Sequence, residues 1–347
     1  MKTLFNVLST VFLMLGAIIG AGFISGAELV GFFGTENFVV LAIVSTVLTA
    51  ITLSFIFFVF KKNENNPQTV ENLFGEKKFY EFSTCFASYV FTASMLAGLD
   101  SLWNSLGVLY GAPVFSVLAM LLISVFSRYD IKGLEKLNLV LMPIVLIVVN
   151  FLIFTNLSLN FETNYTVSIG QTMNVFLYVF MNAFISLPVM RASAKGKNRK
   201  CLFIASIIVS LIIGVEMLLI LSAVKGANVN NADMPLFVAI NKKGFSYLFF
   251  ISLFIGTFTS AFSAYYTAYV SSKSKGGSFG TVLSAIFTLI LSRLGLHHIV
   301  KYLYPIIGGL GALFVIKSLV GIKKQSYADN KRNHKNFGGK HVKKEKE

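Results

Sequence analysis

Apolar runs of about 20 residues recur along this chain from end to end with short polar gaps between them, and nothing else limits its fold so severely. Bilayer hydrocarbon about 30 Å thick takes about 20 helical residues at about 1.5 Å of rise each. The runs are continuously apolar, without the strict alternation of a membrane strand. A segment in lipid must also satisfy its own backbone, so helices are expected rather than a β-barrel. Only 13 % of the residues are charged, against about 25 % in soluble domains, which excludes a soluble enzyme with a single anchor.

On that ruler ten spans are expected. The first five are Leu4 to Phe33, Asn37 to Phe60, Phe79 to Leu106, Ala112 to Ser127 and Leu134 to Thr155. The second five are Ile169 to Met190, Cys201 to Val224, Phe245 to Ser271, Ser278 to Leu296 and Ile299 to Gly321. The first run is too long for the apolar region of a signal peptide and is followed by Thr35-Glu36 instead of a small-residue cleavage site, so it is counted as structure. Cys85 and Cys201 lie in or beside apolar runs and suggest neither a disulfide framework nor a metal site.

The net charge of +15 does not point to nucleic acid, because ten of the 30 Lys and Arg follow Val315 and most others lie in short loops. With the N-terminus inside, twenty-five fall on the cytoplasmic face, leaving only Lys225, Lys242, Lys243, Arg293 and Lys301 outside. Both termini are therefore expected in the cytoplasm and the chain in the cell membrane. A transmembrane domain over 1–322 is expected, in two blocks at about 4–155 and 169–322. The basic tail, 323–347, is expected to be disordered and held near anionic lipid.

The first span is interrupted. Its middle reads GAIIGAGFISGAE, from Gly16 to Glu28, with glycines at 16, 20, 22 and 26. Each costs about 1 kcal/mol against alanine in a helix, so four within eleven positions need a reason. Close helix packing is one, since Gly16/Gly20 and Gly22/Gly26 have small-x-x-x-small spacing. A helix broken at the midplane, its unwound backbone facing a ligand, is the other. Ser25-x-x-Glu28 has the capping-box pattern of a helix start and favours the break. In the sixth span Asn182 and Pro188 bracket a second weak stretch. Spans one and six hold equivalent places in two five-span blocks, which an odd span number makes inverted, and matching breaks there point to a substrate site between them.

GAIIGAGFISGAE followed by ENF, with LYVFMN in span six and YPIIGGLG in span ten, resembles the amino acid–polyamine–organocation superfamily of transporters with the LeuT-like five-plus-five inverted repeat. Within it the YkvI-like group of amino acid permeases is most similar. The likeness covers about residues 1–322. It implies an all-α bundle of ten transmembrane helices with helices one and six broken, and an amino acid or similar zwitterion as substrate. It also implies that the carbonyls of Gly16 and Ile19 face a cation, with Thr259 and Ser260 completing that site. The amides of Ala21 and Gly22 would face a substrate carboxylate, which a helix N-terminus favours. The substrate site then takes in Gly20, Ala21, Gly22, Ser25, Tyr178 and Asn182. Tyr178, Phe184, Tyr265 and Tyr266 are candidates to line or gate it. The coupling ion is Na⁺ or H⁺, with no other cofactor.

Three acidic residues are placed to be intramembrane, where ionisable groups are rare and expensive: Glu28, Asp100 and Glu216. All three are candidates for proton coupling; the alternatives are that Glu28 caps a helix in a wet vestibule and that Asp100, before Trp103, marks an interface. Glu216, deep in span seven, must be protonated, paired or facing water, and is the leading candidate for proton coupling. His297, His298, His334 and His341 have no metal-ligand spacing, and no nucleophile elbow, phosphate loop or dinucleotide fingerprint is present. The reading is a transporter, not an enzyme. Its rivals are a membrane sensor that binds an amino acid without moving it and a divalent-metal carrier using Met181 and Met190.

Overall fold

A computed structural model describes residues 2–64, 77–105, 113–128, 131–156, 160–161, 166–229, 232, 234–241 and 246–323. Among these there is no strand; the protein is all-helical. Six helices are long and apolar enough to cross a membrane, or seven if one bent pair counts as a single span. Of the expected 323–347 tail only Lys323 is described, and Asn230, in a loop expected on the external face, lies outside the described residues.

The first apolar run forms three helices, α1 (Lys2–Ile18), α2 (Ala21–Ile24) and α3 (Ala27–Phe33). Next come α4 (Phe38–Lys62), α5 (Lys77–Ser105), α6 (Val114–Phe126) and α7 (Ile131–Asn156). Helices α8 (Ile169–Ile185) and α9 (Leu187–Ala194) meet at a bend of 53°. They are followed by α10 (Arg199–Ala227), α11 (Pro235–Asn241) and α12 (Ser246–Ser292). The last helix, α13, runs Leu296–Lys323 and begins with a π turn at Ile299–Leu303. At 17 and 13 residues, α1 and α6 are shorter than a full span. The expected eighth and ninth spans form one run, α12, interrupted at Gly277, whose φ of 58° and ψ of −143° suit glycine.

Local chemistry explains where helices begin. Ser168 accepts from the Gln171 amide at 3.2 Å while Gln171 Oε1 accepts from the Ser168 amide at 3.0 Å, a reciprocal cap for α8. Asn198 caps α10 through the Lys200 amide. Pro188 falls in the first turn of α9, where its missing N–H leaves no helical bond unmade.

Helix α12 packs most extensively on α5, and α10 on α4, while α1 lies along α7. The approach of α1 to α7 is close enough that a Cβ on Gly16 would collide with the Asn138 side chain. The last helix approaches α8 equally closely, since a Cβ on Gly308 or Gly311 would strike the carbonyls of Leu177 or Phe180.

Candidate functional site

The two interrupted helices meet in the interior. Helix α1 makes its final bond from the Ile19 amide to the Leu15 carbonyl at 2.7 Å, and α2 starts its own ladder with the Ile24 amide on the Gly20 carbonyl at 2.9 Å. Gly20 between them is extended, with φ −116° and ψ −164°. A second interruption follows at Ser25-Gly26, where Gly26 has φ 80° and heads α3. A residue with a Cβ there would be strained by about 1–2 kcal/mol. Both explanations for the glycines therefore hold at different positions: Gly16 permits close packing, and Gly20 and Gly26 serve the breaks.

Unwinding leaves the carbonyls of the last α1 turn without helical donors. Ser260, on α12, reaches two of them: its Oγ lies 2.7 Å from the Gly16 carbonyl and 2.7 Å from the Ile19 carbonyl, and 2.9 Å from the Gly256 carbonyl. One hydroxyl carries one hydrogen, so it cannot satisfy all three at once. Thr259 takes no part in this cluster; its hydroxyl donates to the Gly256 carbonyl at 3.0 Å and touches Met142 Sδ at 3.7 Å. The expected cation group of Gly16, Ile19, Thr259 and Ser260 is thus brought together except for Thr259, which is turned along its own helix.

Of the expected substrate residues, Gly20, Ala21, Gly22, Tyr178 and Asn182 are buried around the break. The Ala21 amide is already engaged by Met95 Sδ at 3.1 Å, and a Cβ on Gly20 would collide with that sulfur. Gly22 does face a carboxylate, but the protein's own: a Cβ there would lie 3.0 Å from Glu28 Oε2. Ser25 closes the short helix, accepting from the Ala27 amide at 3.4 Å, and its carbonyl accepts from the Leu236 amide at 2.9 Å.

Glu28 departs furthest from expectation. It is fully buried, not in a wet vestibule, and it caps nothing, because Gly26 takes the cap position and the carboxyl turns inward. Both its oxygens lack hydrogen-bond partners. The Asn182 carboxamide lies beside it without a well-formed bond, and Tyr178 and Tyr304 are within electrostatic range. Tyr304 is tied to Ser94 by a short hydrogen bond, while the Tyr178 hydroxyl is buried and unpaired. Phe32 and Phe33 set their ring edges on Tyr178, with centroids 5.5 and 4.9 Å away. Beyond that aromatic group a cavity of about 510 Å³ opens, lined by Ala27, Val30, Phe32, Asn174 and Lys301 among others. A second cavity of about 500 Å³, bordered by Pro188, Arg191, Tyr266 and Lys275, lies at the other end of the α8–α9 pair.

The remaining acidic residues have partners. Glu216, 4 % exposed, accepts from Asn150 Nδ2 at 2.6 Å. Asp100 accepts from the Ser116 amide at 3.1 Å, in the first turn of α6, and lies 3.7 Å from Arg293. Phe184 packs against Phe314, and Tyr265 bonds Ser284 at 2.6 Å across the fold of α12. Near the Lys2 end, Lys197 binds Glu135 at 2.7 Å, Thr10 at 2.9 Å and Ser9 at 3.1 Å. Met95, Met142, Asn138 and Tyr304 were not singled out by sequence. Three of them look like ordinary core or helix-packing residues there, and Tyr304 had a signal only in its place before Pro305 in the YPIIGGLG string.

No family model matches the chain. It is 24 % identical over 327 residues to the uncharacterized protein YyaD of Bacillus subtilis (strain 168), covering 88 % of this chain and 93 % of that one. That likeness carries no substrate with it.

Proposed function

We propose that this chain is a secondary transporter of the amino acid–polyamine–organocation type, carrying an amino acid or similar small zwitterion across the cell membrane by alternating access. Ten spans in two inverted blocks, with both termini cytoplasmic, are part of this reading. The observation that carries it is the meeting of two interrupted helices, α1–α2 and α8–α9, around buried polar groups that lack partners. Helix pairing supports the repeat: α4 packs on α10 and α5 on α12, each joining a span of one block to its counterpart five spans later. Packing of α1 on α7 is matched by that of α8 on the last helix.

The oxygens of Gly16, Ile19 and Ser260 are hard donors suited to Na⁺. The two cavities at opposite ends of α8–α9 supply approach routes from either face, and the Phe32–Tyr178 contact separates one of them from the break. No catalytic step is proposed. Counterflow tests the function: proteoliposomes preloaded with a mixture of amino acids accumulate an external labelled amino acid. Failure of every amino acid to exchange, with binding retained, turns the reading to a sensor.

A further inference from the structure

Polar atoms around Glu28 are unevenly matched. Both Glu28 oxygens, Asn182 Oδ1 and the Tyr178 hydroxyl are buried without partners. Most nearby donors are committed: one hydrogen of Asn182 Nδ2 to the Tyr178 carbonyl at 3.1 Å, the Ser94 and Tyr304 hydroxyls to one another, and the Ala21 amide to Met95. What stays open is four acceptor atoms against two hydrogens, that of the Tyr178 hydroxyl and the second on Asn182 Nδ2 beside Glu28. A ligand carboxylate would add acceptors where acceptors already outnumber donors. A lone proton on Glu28 supplies a single hydrogen and leaves Asn182 Oδ1 orphaned, whereas an ionised Glu28 demands a positive charge. A primary ammonium has that charge and three N–H donors, one each for a Glu28 oxygen, Asn182 Oδ1 and Tyr178 Oη, and the Tyr178 hydrogen is then free for the second Glu28 oxygen.

We propose that Glu28 is the recognition group for the positively charged end of the ligand, a primary ammonium shared with Asn182 Oδ1 and Tyr178 Oη. The assignment rests on the transport reading for its amino acid class and deepens it: the ammonium is the obligatory feature of the substrate, and the carboxylate is secondary. The aromatic contact of Phe32 and Phe33 on Tyr178 covers this polar cluster on the side of the 510 Å³ cavity that Phe32 lines, so a turn of Tyr178 both admits the amine and presents its hydroxyl.

The test uses the full chain in nanodiscs, with the twenty amino acids as probes and, for each that raises the thermal midpoint, its N-acetylated and decarboxylated forms. N-acetylation is expected to abolish binding and decarboxylation to weaken it no more than about tenfold. Glu28→Gln should lose at least a hundredfold in affinity. Tyr178→Phe, which removes only the hydroxyl, should lose about fivefold, and it decides the matter if the first variant does not fold. An N-acetyl form that binds as well as its parent, or a folded Glu28→Gln protein with unchanged affinity, overturns the assignment, and counterflow that persists leaves transport standing. Glu28-dependent amine binding without counterflow overturns transport and keeps the assignment. If no probe binds, both fall.

Discussion

Two glutamates are buried among apolar helices, and their surroundings differ in one respect, the bonds that each carboxyl makes. Glu216 on α10 has Asn150 of α7 at 2.6 Å, so its polar atoms join two helices. Glu28 on α3 has neighbours of the right chemistry, Asn182 beside it among them, but no well-formed hydrogen bond. An interhelical bond of this kind packs membrane helices together, although Asn150 Oδ1 itself is left without a partner. An unsatisfied carboxyl in the same environment persists against a free-energy penalty, which a ligand relieves when it binds. Depth in the bilayer therefore identifies neither as functional; the state of its partners does.

The largest expected effect breaks the comparison outright. Glu28→Leu should abolish uptake while leaving the thermal midpoint equal to or above that of the unmodified protein, since no bond is lost. Glu216→Leu should do the reverse, keeping exchange but lowering stability by about 1–3 kcal/mol because Asn150 is left buried with an unpaired amide. Adding Asn150→Leu should restore much of that loss. Thermal unfolding beside counterflow measures both, and matching behaviour of the two glutamates would erase the distinction.

Gly22→Val comes next. Its Cβ position is 3.0 Å from Glu28 Oε2, so a branched side chain must push the carboxyl away and uptake should fall by more than tenfold with insertion intact. Gly309→Ala, with open space at that position, is the silent comparison. Gly31 is not a suitable control, because a Cβ there would meet Val300 at 3.0 Å. Ser260→Ala should have a smaller effect, right-shifting the sodium dependence of uptake several-fold, while Thr259→Val should not shift it, given where that hydroxyl points. The smallest change is Lys197→Met. It releases a partly exposed pair, about 1 kcal/mol at most, and should show as faster labelling of a cysteine placed at Ser9 with affinity unchanged.

The sites of interruption were legible in the sequence because glycine and proline act locally. Four glycines in eleven positions and Pro188 mark the two breaks to within a residue or two. The cap at Ser25 and Glu28 misled by the same locality: the pattern is right for a helix start, but Gly26 takes the left-handed conformation and moves the start by one, which swings Glu28 into the core. The company Glu28 keeps could not be read, since Ser94, Tyr178, Asn182 and Tyr304 come from helices whose order in space is not a property of any short segment. Ser260 was legible in its likeness to a family pattern. The neighbouring Thr259 shows how one step along a helix, about 100° of rotation, sends an equally suitable hydroxyl elsewhere.

Methionine at the break has a consequence of its own. Sulfur is a weak acceptor on a side chain with three rotatable bonds, and Met95 is what holds the Ala21 amide. A carbonyl or carboxyl oxygen in its place would form a firm, directional bond and make the first turn of α2 a finished structure. The thioether instead works as a soft stopper, filling the break and closing the amide with a weaker bond than oxygen would make. Oxidation to the sulfoxide would replace it with a strong oxygen acceptor, and a stopper of that kind would stay in.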